Sequence, residues 1–148
     1  VPPKRAAVQA PAHNHARLLQ LPVFGACRGL QAINILLGGQ VVSGLCNGTV
    51  HPAPATQHAV SLDLAAFRAL AGSATLTVNS YHNVGVTADG LAPGLRAFAM
   101  AGNRVVVGVC HAGEPILAVQ WHPERHNQSE AFDRELITKF FEHGAFWL

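Results

Sequence analysis

The apolar run Leu21-Pro-Val-Phe-Gly-Ala26 stops at Cys27, and apolar residues then recur at Leu30, Ile33, Leu36 and Leu37. A strand-like run therefore gives way to helical spacing within a few residues, and Gly38-Gly39 stops the helix. The junction, Gly25-Ala-Cys-Arg-Gly29, has the G-x-C-x-G form of a nucleophile elbow. In such an elbow the glycines leave room for a strained turn that lifts the middle side chain clear of the sheet. The backbone N–H of the following residue, here Arg28, then faces a developing oxyanion. A helix N-terminus beside the sulfur is expected to favour thiolate over thiol. A buried core cysteine is the competing reading, and G-x-C-x-G alone favours that plainer one.

A thiolate nucleophile needs a base, and the base needs an orienting group. Ala118-Val-Gln-Trp-His122-Pro-Glu124 supplies both at the end of an apolar strand. Pro123 biases His122 toward extended backbone, in which residues i and i+2 project to the same side. Glu124 can then accept a hydrogen bond from one imidazole nitrogen and leave the other facing the thiol. A surface His and Glu in a turn is the ordinary fate of such a pair, but beside the elbow it becomes the weaker reading.

Elsewhere the pattern mixes strands and helices without internal repeats. Residues 1–14 hold three prolines and no apolar period, so they read as an irregular lead-in, with a short helical turn expected at His15–Gln20. His58–Leu62 and Ala74–Val78 read as strands on either side of a helix over Leu64–Leu70, with Asp63 as its N-cap and Gly72 as its stop. Turn residues cluster around Asn47-Gly48 and His51–Pro54. Leu95–Met100, Val105–Cys110 and Ile116–Trp121 read as an antiparallel meander. A last helix opens at Ser129 or Glu130, with Phe132, Leu136, Ile137, Phe140 and Phe141 on its apolar face.

With 148 residues, 49% of them apolar and 12% charged, the chain can bury one core. A net charge of +2 with scattered Lys and Arg points to no nucleic-acid partner, and no apolar run reaches the roughly 20 residues of a membrane span. Three cysteines, none at C-x-x-C spacing, fit a reducing compartment rather than a disulfide framework or zinc ribbon. An intracellular setting, cytoplasmic or organellar matrix, is therefore expected. His13-Asn-His15 has no third ligand nearby, so neither a metal nor a cofactor is expected. The chain starts at Val1, which fits a processed product or part of a longer gene product.

Taken in order, PVFGACRGLQAINILLGG, QHAVSL, VNSYHN and AVQWHPE resemble the class I glutamine amidotransferase-like family. The nearest branch is the gamma-glutamyl-gamma-aminobutyrate hydrolase type, the C26 peptidases, and the resemblance spans about residues 18–143. It implies an α/β, flavodoxin-like three-layer fold, with 15–148 forming a partial domain. It also implies a Cys27–His122–Glu124 triad that hydrolyses γ-glutamyl amides through a thioester on Cys27, with the Arg28 N–H on the oxyanion. Arg28 and Gln31 match positions near the substrate pocket, and Asn79, Ser80, Tyr81 and His82 match a pocket-lining Asn-Ser-x-His loop. That loop continues His-Gln in the family branch and His82-Asn83 here, which bears on the substrate more than on the reaction.

Gly25 is the first glycine in the chain, so the family's Gly-rich oxyanion loop and the opening strand–helix units have no counterpart before the elbow. The fold is thus expected to be incomplete at the N-terminus. Either another polypeptide or fragment completes the sheet of an active hydrolase, or the chain is a family remnant with a purely structural role in a larger assembly. Homo-oligomers or a larger complex follow from either expectation.

Overall fold

The computed structural model describes residues 3–43, 45, 56–80, 84–125 and 128–148, with the backbone only for residues 3–9, 56 and 80. The expected lead-in is instead a helix, α1 (Pro3–Leu18), which carries Pro11 in its interior. Five alanines with high helix propensity offset the backbone hydrogen bond that Pro11 cannot donate. Arg17 near its end grips Glu114 through a fork, Nε–Oε1 2.9 Å and Nη2–Oε2 2.6 Å, tying α1 to the far side of the chain.

The remaining order is β1 (Val23–Ala26), α2 (Arg28–Leu36), β2 (Thr56–Leu62), α3 (Ala65–Ala71), β3 (Thr75–Ser80), β4 (Val86–Thr87), β5 (Leu95–Ala101), β6 (Val105–His111), β7 (Ile116–Val119) and α4 (Glu130–His143). The strands form one sheet in the order β1-β7-β6-β5-β2-β3, with β4 paired to β6. The expected meander is present as β5, β6 and β7. Among the described residues only β1 runs parallel to its neighbour, with Val23 opposite Ile116 and Ala26 opposite Val119. The sheet is therefore mixed, and its one parallel pair is the pair that leads into the elbow.

Alternation along β7 shows the layers. Ile116 and Ala118 pack with Leu30, Ile33, Leu95, Met100 and Val109 on the α2 side. Leu117 and Val119 pack with Phe67, Phe98, Phe132, Leu136, Phe140 and Trp147 on the α3/α4 side. Each face of the sheet thus buries one core, giving the three layers of an α/β fold. Phe98 stacks on Phe67 at 3.9 Å and lies over Gly108, where a Cβ would come within 2.6 Å of its ring.

Two local expectations are corrected, at the α3 cap and at Phe141, and the His13–His15 pair is placed. Leu64, in extended backbone, caps α3 in place of Asp63, and no side chain bonds that helix start, although Gly72 ends it in the left-handed region as expected. Phe141 is 56% exposed, because only Phe132, Leu136 and Phe140 of that stripe face the core. His13 is buried with both ring nitrogens lacking a hydrogen-bond partner, whereas His15 is exposed, so the H-x-H pair does not converge. The turn-rich stretch around 47–54 lies outside the described residues, as does Cys46. No helix among the described residues is long and apolar enough to cross a membrane.

Candidate active site

The parallel pair β1 and β7 sends both of its C-terminal ends to the same edge of the sheet, and the sequence places Cys27 just after one and His122 just after the other. Chemistry in α/β sheets collects at such carboxyl ends. Cys27 donates its N–H to Val119 O at 2.9 Å, carrying the β1–β7 ladder one residue beyond the strand. There the chain reverses, with Cys27 at φ 53°, ψ −106° and α2 starting at Arg28. A non-glycine residue in this region is strained, and such strain persists only where the surroundings enforce it. Cys27 is the strained, half-buried corner expected of an elbow.

The two flanking glycines are unequal. A Cβ on Gly25 would lie 2.8 Å from the Gly29 carbonyl carbon and 2.9 Å from Ile33 Cδ1, whereas a Cβ on Gly29 would meet nothing within 4 Å. Gly25 is required because α2 passes directly over the strand. Gly29 supplies the backbone that it approaches.

Burial pushes the Cys27 thiol above its usual range. The Arg28 backbone N–H, the charges of Arg28 and Arg125, and the Gln120 amide all pull against that. The expectation of a resting thiolate is thereby corrected: desolvation of the half-buried sulfur outweighs these donors and charges. Arg28 offers its N–H to the sulfur, and its side chain is exposed.

His122 Nδ1 donates to Glu124 Oε1 at 2.6 Å, the i, i+2 pairing that Pro123 favours. Burial raises the Glu124 carboxyl, but backbone and His122 hydrogen bonds with the His122 and Arg125 charges more than compensate, so it is held below its ordinary range. The backbone of His122 is clamped by Asn79: Nδ2 donates to His122 O and the His122 N–H donates to Oδ1, both at 2.9 Å. On the other side Trp121, buried, donates Nε1–H to Asp133 Oδ1 of α4 at 2.9 Å. His122 thus sits in a segment fastened to β3 and α4.

Asn79 and Gln31 were expected near substrate, and the structure gives them inward roles. Asn79 is 2% exposed and engaged with His122, and Gln31 is 6% exposed and donates to Val84 O at 2.8 Å. Tyr81 and His82 lie outside the described residues, as does the Ser80 side chain. Sequence reasoning missed Gln120, fully buried with Nε2 3.7 Å from Cys27 Sγ, and Arg125. Gln120 had a signal, since it stands two residues before His122 in extended chain. Among the described residues no group of three or more His, Cys, Asp or Glu could hold a metal ion.

A cavity of about 360 Å³ lies among α1, β1 and α2, lined by His13, Val23, Phe24, Ile33 and Leu36. It is bordered by β1, whose outer edge pairs with no strand among the described residues.

The chain is similar to known proteins. The family model described as Peptidase C26 matches residues 1–124. Over 142 residues the chain is 30% identical to a gamma-glutamyl-gamma-aminobutyrate hydrolase of Escherichia coli, covering 86% of this chain and 55% of the relative. Over 129 residues it is 29% identical to a glutamine-hydrolyzing GMP synthase subunit of Methanosarcina barkeri, covering 87% of this chain and 63% of the relative. A solved glutamine amidotransferase of Thermotoga maritima superposes with TM-score 0.64 at 17% identity, covering 92% of this chain and 54% of that one. The chain spans about half the length of the curated relatives it matches.

Proposed function

Because the chain belongs to the Peptidase C26 family and has the class I glutamine amidotransferase fold, we propose that it is a cysteine hydrolase of γ-glutamyl amides, with Cys27, His122 and Glu124 as its triad. The observation that carries this reading is the strained Cys27 corner at the end of β1, beside the β7 end that bears the hydrogen-bonded His122–Glu124 pair.

In the proposed reaction His122 Nε2 takes the thiol proton as Sγ attacks the γ-carbonyl carbon. The S–C bond forms, and the carbonyl electron pair moves to an oxyanion facing the Arg28 N–H. Collapse breaks the C–N bond, and His122 returns the proton to the leaving amine. Water, deprotonated by His122, then attacks the thioester; the C–S bond breaks, the sulfur regains the proton, and the glutamyl acid leaves. Glu124 holds the imidazole throughout. The Arg28 guanidinium, exposed at the start of α2, is the substrate carboxylate contact in this reading, and Ser80, Tyr81 and His82 line the acceptor side.

The proposal includes another polypeptide or fragment, or a further part of a longer precursor, that supplies a strand to the outer edge of β1. The outer β1 edge, which pairs with no strand among the described residues, the apolar cavity beside it and the buried His13 ring without a hydrogen-bond partner support such an addition. The GMP synthase relative, itself one subunit of its enzyme, supports a place in a larger assembly. The alternative, a structural component without catalysis, is favoured by the incomplete sheet, whose outer β1 edge pairs with no strand among the described residues.

Incubation with a glutamine-mimicking diazo ketone, followed by mass mapping, separates the two. Selective adduct formation on Cys27 over Cys46 and Cys110, lost in Cys27→Ser, is the expected result. Equal labelling of the three, or none at neutral pH, would sink the hydrolase reading in favour of the structural one.

A further inference from the structure

Behind Cys27 lies a chain of buried amides. Gln31 on α2 donates Nε2–H to Val84 O at 2.8 Å, and its Nε2 also lies 3.4 Å from Gln120 Oε1. Gln120 Nε2 in turn lies 3.7 Å from Cys27 Sγ. A backbone carbonyl can only accept, so Val84 fixes which end of Gln31 carries the NH₂ group. That NH₂ group then requires the oxygen of Gln120, since two amide nitrogens facing each other would both be donors. With its oxygen turned to Gln31, Gln120 must present N–H to the sulfur. Both amides are more than nine-tenths buried, so turning either away would leave a polar group without water or partner. The Gln120 backbone is held as well, its N–H donating to Val107 O at 2.8 Å.

We propose that Gln120 is a further catalytic residue, an N–H donor that stabilises the Cys27 thiolate from inside the sheet, and that Gln31 is a positioning residue that fixes the Gln120 amide. A thiol is a weak acceptor and a thiolate a strong one, so the contact strengthens as the proton leaves. The same donor loosens when the sulfur becomes a neutral thioester, which favours the charged sulfur as leaving group in the second half of the reaction. The charged groups that act on the sulfur are Arg28 on α2 and Arg125 beyond β7, with the titratable His122–Glu124 pair in the same segment as Arg125, and the two amides are a neutral part of its surroundings.

This inference rests on the hydrolase reading for its catalytic meaning, but its test does not need turnover. Alkylation of Cys27 by iodoacetamide is followed from about pH 6 to pH 11, with the adduct mapped by mass spectrometry. In Gln120→Leu the midpoint should move up by about one pH unit and the neutral-pH rate should fall about tenfold. Gln31→Leu should shift it the same way by less, because Gln120 is then free to turn. Gln120→Asn keeps a buried amide but draws it back from the sulfur, and should behave like the leucine variant even if that one folds poorly. An unchanged midpoint in a folded Gln120→Leu or Gln120→Asn protein overturns the proposal. A shifted midpoint in a protein without γ-glutamyl hydrolysis would instead retire the proposed activity and leave the thiolate role standing.

Discussion

At the residue scale, Gly25 and Gly29 look equivalent in the sequence, yet only one is constrained by space. Gly25→Ala drives a methyl into the backbone of α2 and should destabilise by about 1–3 kcal/mol in urea denaturation. Gly29→Ala, inside α2 with open space around its Cβ, should be neutral or stabilising by up to about 1 kcal/mol. Asn79 offers a comparable discrimination. Its amide holds both backbone groups of His122, so Asn79→Ala should lower kcat on the order of 100-fold with little change in KM. A substrate contact would raise KM instead, and steady-state kinetics on a γ-glutamyl amide tells the two apart.

At the element scale, local pattern and tertiary override divide the molecule. The helix over 28–36, the meander and the elbow were legible because each depends on a short apolar period or a turn residue. α1 was not, because three prolines mask an alanine-rich helix whose anchor, Glu114, lies 97 residues from Arg17. Leu64 in place of Asp63 as the cap is the same lesson on a smaller scale: backbone geometry, not side-chain chemistry, set that boundary. The His122–Glu124 pairing could be read from i, i+2 spacing, but the inward roles of Asn79 and Gln31 depend on the packing of β3 and α2 against the β7 end.

The α1 anchor carries a pH dependence. The hydrogen bond from Arg17 chiefly, opposed by partial burial, holds the Glu114 carboxyl below its ordinary range. Its folded pKa is depressed, so the anchor's contribution is present above the unfolded carboxyl value of about 4.3 and is lost as pH falls through the lower folded value. Thermal melts across that acid window should lose stability in the native protein and show a weaker pH slope in Glu114→Gln.

At the scale of the whole molecule, two cores on opposite faces of one sheet mean that the site reports on both. Trp121 joins the segment that bears His122 to α4 through Asp133, on the face away from α2. Asp133→Ala leaves the buried indole N–H without its acceptor and should cost about 1–3 kcal/mol in denaturation, with a parallel loss of turnover.

The pairing of β1 with β7 also sets a timetable. Cys27 and Gln120 are 93 residues apart, and the strand that leads into Cys27 has no other strand to lean on among the described residues. On a ribosome adding roughly 5–20 residues per second, the elbow would emerge some 5–20 s before the strand it pairs with. During that interval the thiol is an ordinary cysteine on a nascent chain. The proposed nucleophile is therefore assembled by the late arrival of its neighbour, and under that proposal its chemistry is held silent until that neighbouring strand has been made.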